Sequence, residues 1–99
     1  MVDASHANSS KKPENQPLVV DDIARQVSGG EQRIVGVMIE SNLVAGRQDV
    51  LPGATLTYGQ SITDGCIDLD TTVAALDRLA DAVGARRETQ SRAVQERSA

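Results

Sequence analysis

The stretch Arg33-Ile34-Val35-Gly36-Val37-Met38-Ile39 is a continuous apolar run rich in β-branched residues. A strand that is apolar on both faces belongs to a parallel sheet covered on both sides, because a strand with one wet face alternates apolar and polar residues. Glu40 ends the run, directly after six consecutive uncharged residues. The sequence therefore predicts a buried parallel strand with a carboxylate at its carboxyl end.

The segment before this strand predicts a strand end followed by a helix. Residues 1–4 are typical of the last positions of an extended segment, and a polar loop around His6 follows. A helix is predicted from Pro17 to about Ser28, and Gly29-Gly30 supplies the left-handed residue that commonly ends one. Its apolar residues recur at i, i+3, i+4 and i+7, which places them on one face: Val20, Ile23, Ala24 and Val27.

The segment after the strand predicts a long connection and a second helix. Residues 41–63 contain several glycine and proline breakers, and a connection of this length usually has a function or is disordered. The helix is predicted to begin at Asp70 or Thr71, with Asp70 as N-cap. Residues 88–99 are polar and are predicted to be a frayed or disordered tail. The buried stripe of the second helix is predicted to contain Val73, Leu76, Leu79, Ala80 and Val83.

This order of elements predicts an α/β fold with a βαβα arrangement and a parallel sheet. Two strands leave edges and faces uncovered, so the fold is expected to be incomplete on its own. Composition agrees, because the 99 residues are only 39% hydrophobic and contain one aromatic residue, Tyr58. Such a chain forms at most one small domain.

Charge and cysteine content narrow the class of function. The net charge of −4 argues against nucleic acid as the main partner, since that binding depends on clustered Lys and Arg. The single cysteine, Cys66, excludes an intramolecular disulfide and favours the reducing cytoplasm. No apolar run approaches the roughly 20 residues that span a membrane, and no membrane role is expected.

Three side chains predict a metal site: His6, Glu40 and Asp64. The carboxyl ends of parallel strands point the same way, so His6 and Glu40 share one rim, and Asp64 folds back over it from the connection. One imidazole nitrogen with two carboxylate oxygens suits Mn²⁺, Fe²⁺, Co²⁺ or Zn²⁺.

Each of these residues also has a purely structural alternative. His6 alone would hydrogen-bond across its loop, and Asp64 closes a Ser61-Ile62-Thr63-Asp64 sequence that resembles a capping box. Glu40 is the hardest to explain structurally, because a carboxylate against an apolar strand needs a partner or a metal. Cys66 lacks a nearby histidine and is expected to be a small, semi-buried residue.

Three motifs, in this order and at this spacing, resemble the bacterial type I 3-deoxy-D-arabino-heptulosonate 7-phosphate (DAHP) synthases, which open the shikimate pathway. The resemblance covers residues 1 to about 87, as the C-terminal part of such an enzyme from the end of its seventh strand to its eighth helix. The motifs are Asp3-x-Ser5-His6-Ala7-Asn8-Ser9-Ser10-Lys11, Gly36-Val37-Met38-Ile39-Glu40-Ser41, and Tyr58-Gly59-x-Ser61-Ile62-Thr63-Asp64-x-Cys66-Ile67.

The resemblance implies a (β/α)₈ barrel that condenses phosphoenolpyruvate with erythrose 4-phosphate and releases phosphate, in members that oligomerise. It implies a divalent metal held by a cysteine, a histidine, a glutamate and an aspartate, of which His6, Glu40 and Asp64 match the last three. Cys66 matches a different cysteine of the family. The family's metal-binding cysteine and its Lys-Pro-Arg-type substrate motif are absent from this sequence.

The isolated chain is therefore expected to be inactive, because orienting two reactants supplies much of the rate of such a condensation. No catalytic residue is predicted here beyond the metal ligands. The alternative is a non-catalytic interaction segment or a truncated product without its own activity.

Overall fold

A computed structural model describes the backbone of residues 1–98 and the side chains of residues 1–95. Two short strands, β1 (Val2–Asp3) and β2 (Val37–Met38), lie beside two helices, α1 (Gln16–Ser28) and α2 (Leu69–Ser98). Two 3₁₀ turns, His6–Ser9 and Pro13–Asn15, connect β1 to α1. The order is βαβα, as the sequence predicts.

The two strands pair in parallel, which confirms the predicted orientation. Val2 lies opposite Val37 and Asp3 opposite Met38. The strand in the apolar run is much shorter than residues 33–39, because β1 offers only two residues to pair with. Within the described residues the run is not covered on both faces, since Val35 is 82% exposed, and the sequence predicts that two strands alone leave faces uncovered.

Helix α1 forms the centre of the core through the predicted stripe. Val20, Ile23, Ala24 and Val27 are all buried, and Ala4 of the loop after β1 packs with them. The helix ends in a Schellman motif, in which the Gly30 and Glu31 amides donate to the carbonyls of Val27 and Gln26. Gly30 takes the left-handed conformation with φ 106°, whereas Gly29 remains right-handed.

Helix α2 begins at Leu69, one or two residues earlier than predicted, and a different residue caps it. Asp68 Oδ1 accepts the Thr71 amide N–H at 2.8 Å, so Asp68 is the N-cap. Asp70 instead lies inside the first helical turn. The pKa of Asp68 is lowered, first by its side-chain hydrogen bond with Thr71.

The stripe predicted for α2 is partly wrong. The two buried residues that pack on α1 are Ala75 and Ala82, and Leu79 and Val83 are only partly buried beside them. Small side chains allow the two helices to approach closely, and this selects a face rotated away from the bulkiest residues. Three predicted core residues are exposed as a result: Val73, Leu76 and Ala80.

Helix α2 also continues through residues 88–98, where the sequence predicts a frayed or disordered tail. Ala99 lies outside the described residues. An Arg92–Glu88 ion pair at i, i+4 supports this polar extension, where apolar packing contributes little. Among the described residues, no helix is long and apolar enough to cross a bilayer.

The long connection between β2 and α2 is tied to its own ends. Gly46 pairs with Cys66 in an antiparallel bridge, and Ser41 pairs with Ile67 in a parallel one. These bridges bring the segment around Asp64 back to the carboxyl ends of β1 and β2. The connection therefore positions a functional side chain although it contains no regular strand or helix.

Candidate metal centre

The structure brings the three predicted residues together. His6 Nε2 lies 3.2 Å from Glu40 Oε1 and 3.3 Å from Asp64 Oδ2. The three donor atoms lie within 4.8 Å of one another, and no other such cluster occurs in the part of the chain that the structure describes. The histidine follows β1, the glutamate follows β2, and the aspartate comes from the connection.

A hydrogen-bond network around Asp3 orients the imidazole of His6. Asp3 Oδ2 lies 2.8 Å from His6 Nδ1, while Oδ1 accepts the amide N–H and the hydroxyl of Ser5. These bonds hold the pKa of the Asp3 carboxyl at about 2, first because of the Ser5 hydroxyl and then because of His6. Because Nδ1 bonds to Asp3, Nε2 is the ring nitrogen that faces the two carboxylates, where it can carry a proton or, once deprotonated, bind a metal ion.

The backbone of His6 is itself in an unusual conformation. Its φ of 50° lies in the left-handed region, which residues other than glycine rarely adopt. This conformation turns the chain sharply out of β1 and projects the imidazole over the ends of both strands. Such strained residues concentrate at functional sites.

The local charge favours a cation. His6 Nε2 faces two carboxylates while Nδ1 faces a third, and the pKa of His6 is raised, first by its hydrogen bond with Asp3 and then by that with Asp64. The charge of Glu40 acts in the same direction. Either a proton on the imidazole or a metal ion among the donor atoms would balance this cluster.

The separations of the His6 nitrogen from the two carboxylates fit a shared divalent ion. Ligand atoms about 2.0–2.2 Å from one metal lie about 2.8–3.6 Å from each other in octahedral or tetrahedral geometry. The separations of His6 Nε2 from Glu40 Oε1 and Asp64 Oδ2, 3.2 and 3.3 Å, fall within that range, and all three donor atoms lie within 4.8 Å of one another. The donor set of one nitrogen and two oxygens also matches transition metals of intermediate hardness.

The two carboxylates differ in exposure. The Glu40 side chain is only 16% exposed, which agrees with its predicted position against an apolar strand, whereas that of Asp64 is 65% exposed. The Asp64 segment is held by Arg47, whose Nε donates to the Thr63 carbonyl at 2.8 Å. Gly65 packs directly on the ring of Pro13 on the other side.

A cavity of about 400 Å³ opens beside the three donor atoms. Lys11 and Arg47 are the cations in its lining, and Arg47 is already paired with Asp49 at 2.7 Å. Cys66 is buried, and its sulfur faces the Asp64 carbonyl, so it is not one of the three clustered donor atoms. Burial raises the pKa of the Cys66 thiol, as expected for a structural cysteine.

Two residues that support the site were missed by sequence reasoning. Asp3 lies in the first of the three motifs, and its position three residues before His6 in that motif indicates a role at the site. Gln16 hydrogen-bonds the backbone of Glu40 across 24 residues, and nothing in the local sequence indicates it. Only the packing of α1 against the end of β2 creates that contact.

The parallel pairing and the cluster of candidate ligands at the strand ends are features of α/β proteins, whose sites lie at the carboxyl ends of parallel strands. The chain belongs to the DAHP synthetase I family, whose model matches residues 1–77. A phospho-2-dehydro-3-deoxyheptonate aldolase from Haemophilus influenzae is 52% identical over 91 residues, which are 92% of this chain and 25% of that protein. The Phe-sensitive enzyme of that name from Escherichia coli K12 is 53% identical over 87 residues, 88% of this chain and 25% of its own length.

A solved structure agrees with these relatives. The phospho-2-dehydro-3-deoxyheptonate aldolase from Francisella tularensis matches 85% of this chain and 24% of its own, with a TM-score of 0.80 and 51% sequence identity. The chain thus spans about a quarter of the length of the relatives it matches. The family predicted from the three motifs is confirmed.

Proposed function

We propose that this chain supplies most of the metal centre of a DAHP synthase, the enzyme that condenses phosphoenolpyruvate with erythrose 4-phosphate in the first step of aromatic amino-acid biosynthesis. The observation that carries the proposal is the convergence of His6, Glu40 and Asp64 at one rim of a chain that belongs to this family. The reducing cytoplasm is the proposed location, since Cys66 is an unpaired thiol.

His6, Glu40 and Asp64 are the proposed metal ligands, for Mn²⁺, Fe²⁺, Co²⁺ or Zn²⁺. When bound, such an ion supplies a Lewis acid for the aldehyde oxygen of erythrose 4-phosphate and a template for the reactants. The chain's own residues hold the donor atoms in place. Asp3 fixes the imidazole with Nε2 toward the site. The largely buried Glu40 holds its carboxylate beside the ends of the two strands.

The proposed context is a (β/α)₈ barrel in which this chain forms the last βαβα portion. Large apolar side chains support that context, because Val35, Val73 and Leu76 are 82%, 49% and 54% exposed. Further strands and helices would cover these residues, and the substrate-binding lysines and arginines of the family would come from the same additional elements. The chain alone is therefore proposed to be inactive.

A fusion protein tests this proposal. In it, the chain replaces the matching quarter of the Phe-sensitive E. coli relative. We expect the fusion to condense the two substrates and to contain stoichiometric metal by elemental analysis. His6→Ala in the fusion is expected to lower kcat by at least 100-fold and to remove most of the metal, because one of the donors is lost.

A matched pair of carboxylates provides the control. Asp64→Asn is expected to lose metal, whereas Asp49→Asn, in the same connection but outside the cluster, is expected to retain it. A fusion with His6→Ala that kept full metal content and activity would contradict the proposed ligand set. Turnover by the isolated chain would contradict the proposed dependence on further elements.

A further inference from the structure

Gln16, the first residue of α1, is buried, although polar side chains are seldom fully buried. It is 0% exposed and is the largest fully buried polar side chain of the described residues. A buried amide is costly unless its donor and acceptor are both satisfied. The hydrogen-bond partners of this amide therefore indicate its role.

Both polar atoms of Gln16 bond to the main chain of one residue, Glu40. Gln16 Nε2 donates to the Glu40 carbonyl at 3.0 Å, and Gln16 Oε1 accepts the Glu40 amide N–H at 2.9 Å. The primary amide, whose oxygen and syn N–H lie side by side, thus satisfies the amide and the carbonyl of Glu40, a task that a neighbouring strand would share between two peptide groups. The Ile67 amide adds a second hydrogen bond to the same carbonyl at 3.0 Å.

This pairing occurs where the strand ladder stops. The amides of Val2 and Ala4 donate to the carbonyls of Gly36 and Met38, a parallel ladder that advances two residues at a time. The next bond would join the Glu40 amide to the Ala4 carbonyl. The chain instead turns away toward His6, and Gln16 takes the vacated position.

We propose that Gln16 is a positioning residue of the metal centre, which fixes the backbone from which the Glu40 carboxylate reaches the ion. This inference rests on the proposed metal site. Two hydrogen bonds remove the freedom of the Glu40 peptide, so Oε1 stays 3.2 Å from His6 Nε2. Residues that hold a ligand in this way typically contribute a 10- to 100-fold factor to metal affinity.

The test compares Gln16→Met with two controls. Methionine keeps the length and flexibility of glutamine without its amide and is well suited to a buried site. Gln26→Met is the matched control, because Gln26 is exposed on the same helix. Val20→Ala is the second control, because it removes buried volume from α1 without touching the site.

The first measurement needs no metal. Amide hydrogen exchange of the metal-free fusion protein is followed at Glu40 and, as an internal reference, at Ala4. Gln16→Met is expected to accelerate exchange at Glu40 at least tenfold while Ala4 keeps its protection, and Gln26→Met is expected to change neither. Unchanged protection of Glu40 in Gln16→Met would overturn the proposal.

The second measurement is the affinity for Mn²⁺ and the electron paramagnetic resonance of the bound ion, in the fusion protein. Gln16→Met is expected to bind Mn²⁺ at least tenfold more weakly, with an altered spectrum, and Val20→Ala is expected to bind it like the parent. Equal losses in Gln16→Met and Val20→Ala would reduce Gln16 to a structural role and overturn the proposal.

These two measurements separate the inference from the proposed function. If the parent fusion binds no Mn²⁺, the proposed metal site fails, and the exchange data alone decide whether Gln16 holds Glu40. If the parent binds Mn²⁺ and Gln16→Met binds it equally well, the metal site stands and the inference about Gln16 fails.

Discussion

Substituting Gly65 by alanine should displace the proposed ligand that precedes it. A Cβ at Gly65 would lie 2.9 Å from Cγ and 3.3 Å from Cδ of Pro13. Carbon atoms in ordinary contact lie about 3.5–4.0 Å apart, so the two segments must separate by at least about 0.6 Å. A change of ring pucker moves Cγ, but Cδ and Cβ of Pro13 also lie close and are tied to the backbone by the ring, so we expect the backbone around Asp64 to move.

The size of this movement sets the expected effect. Functional groups have to be held within about 0.5 Å of their productive geometry, and the required shift exceeds that tolerance. Asp64 Oδ2 lies 3.3 Å from His6 Nε2, and a shift of about 0.6 Å away from it would exceed the spacing of about 3.6 Å that one ion allows. We expect Gly65→Ala to weaken Mn²⁺ binding 10- to 100-fold and to destabilise the fold by about 1–3 kcal/mol through overpacking.

The assay is Mn²⁺ titration of the fusion protein by calorimetry, with thermal unfolding recorded in parallel. Gly84→Ala is the matched control, because a Cβ there meets nothing within 4 Å and the site is helical. It should leave affinity unchanged and stabilise α2 by roughly 1 kcal/mol. If Gly65→Ala bound Mn²⁺ as tightly as Gly84→Ala, the claim that Pro13 and Gly65 set the position of Asp64 would be wrong.

Two further predictions concern the fold. Val20 is 0% exposed, so Val20→Ala is expected to lower the free energy of unfolding by about 2 kcal/mol in chemical denaturation. Leu18→Ala, on the exposed side of α1, should change that free energy by less than about 0.5 kcal/mol. Equal effects of the two substitutions would contradict the assigned core face. Hydrogen bonds from Arg33 lower the pKa of Glu31 from 4.5 to about 2, so this pair stabilises the fold above about pH 4.5 and the contribution is lost as the pH falls toward 2. The difference in urea midpoint between the parent and Glu31→Gln should therefore stay constant from about pH 7 to 5 and disappear by about pH 2; a difference that persisted at pH 2 would refute the assignment.

Local sequence patterns predicted the features that depend only on neighbouring residues, such as the buried face and the end of α1. The i, i+3, i+4, i+7 stripe from Val20 to Val27 required only helical periodicity, and Gly30 required only the geometry of a helix end. The stripe of α2 was predicted poorly because two apolar faces compete on that helix. Contact with α1 selects Ala75 and Ala82, which lie closer to the partner helix than bulky residues would, and this choice depends on three dimensions.

Some residues of the candidate site were likewise predictable from the sequence, and others were not. His6 and Glu40 were predicted because the ends of parallel strands meet at one edge, a rule that needs only the order of elements. Asp64 was placed there on the expectation that its connection folds back, and the bridges near Cys66 and Ile67 show how this happens. Gln16 escaped prediction because its partner lies 24 residues away along the chain.

The amino-acid sequence by itself determined the family, the parallel βαβα order and the three donor residues, since motif spacing and apolar periodicity are properties of the chain alone. Tertiary structure decided which face of α2 is buried, how Asp3 turns the imidazole of His6, and that Gln16 completes the strand ladder at Glu40. These features depend on distances between segments remote in sequence. Packing sets those distances, and no local pattern encodes them.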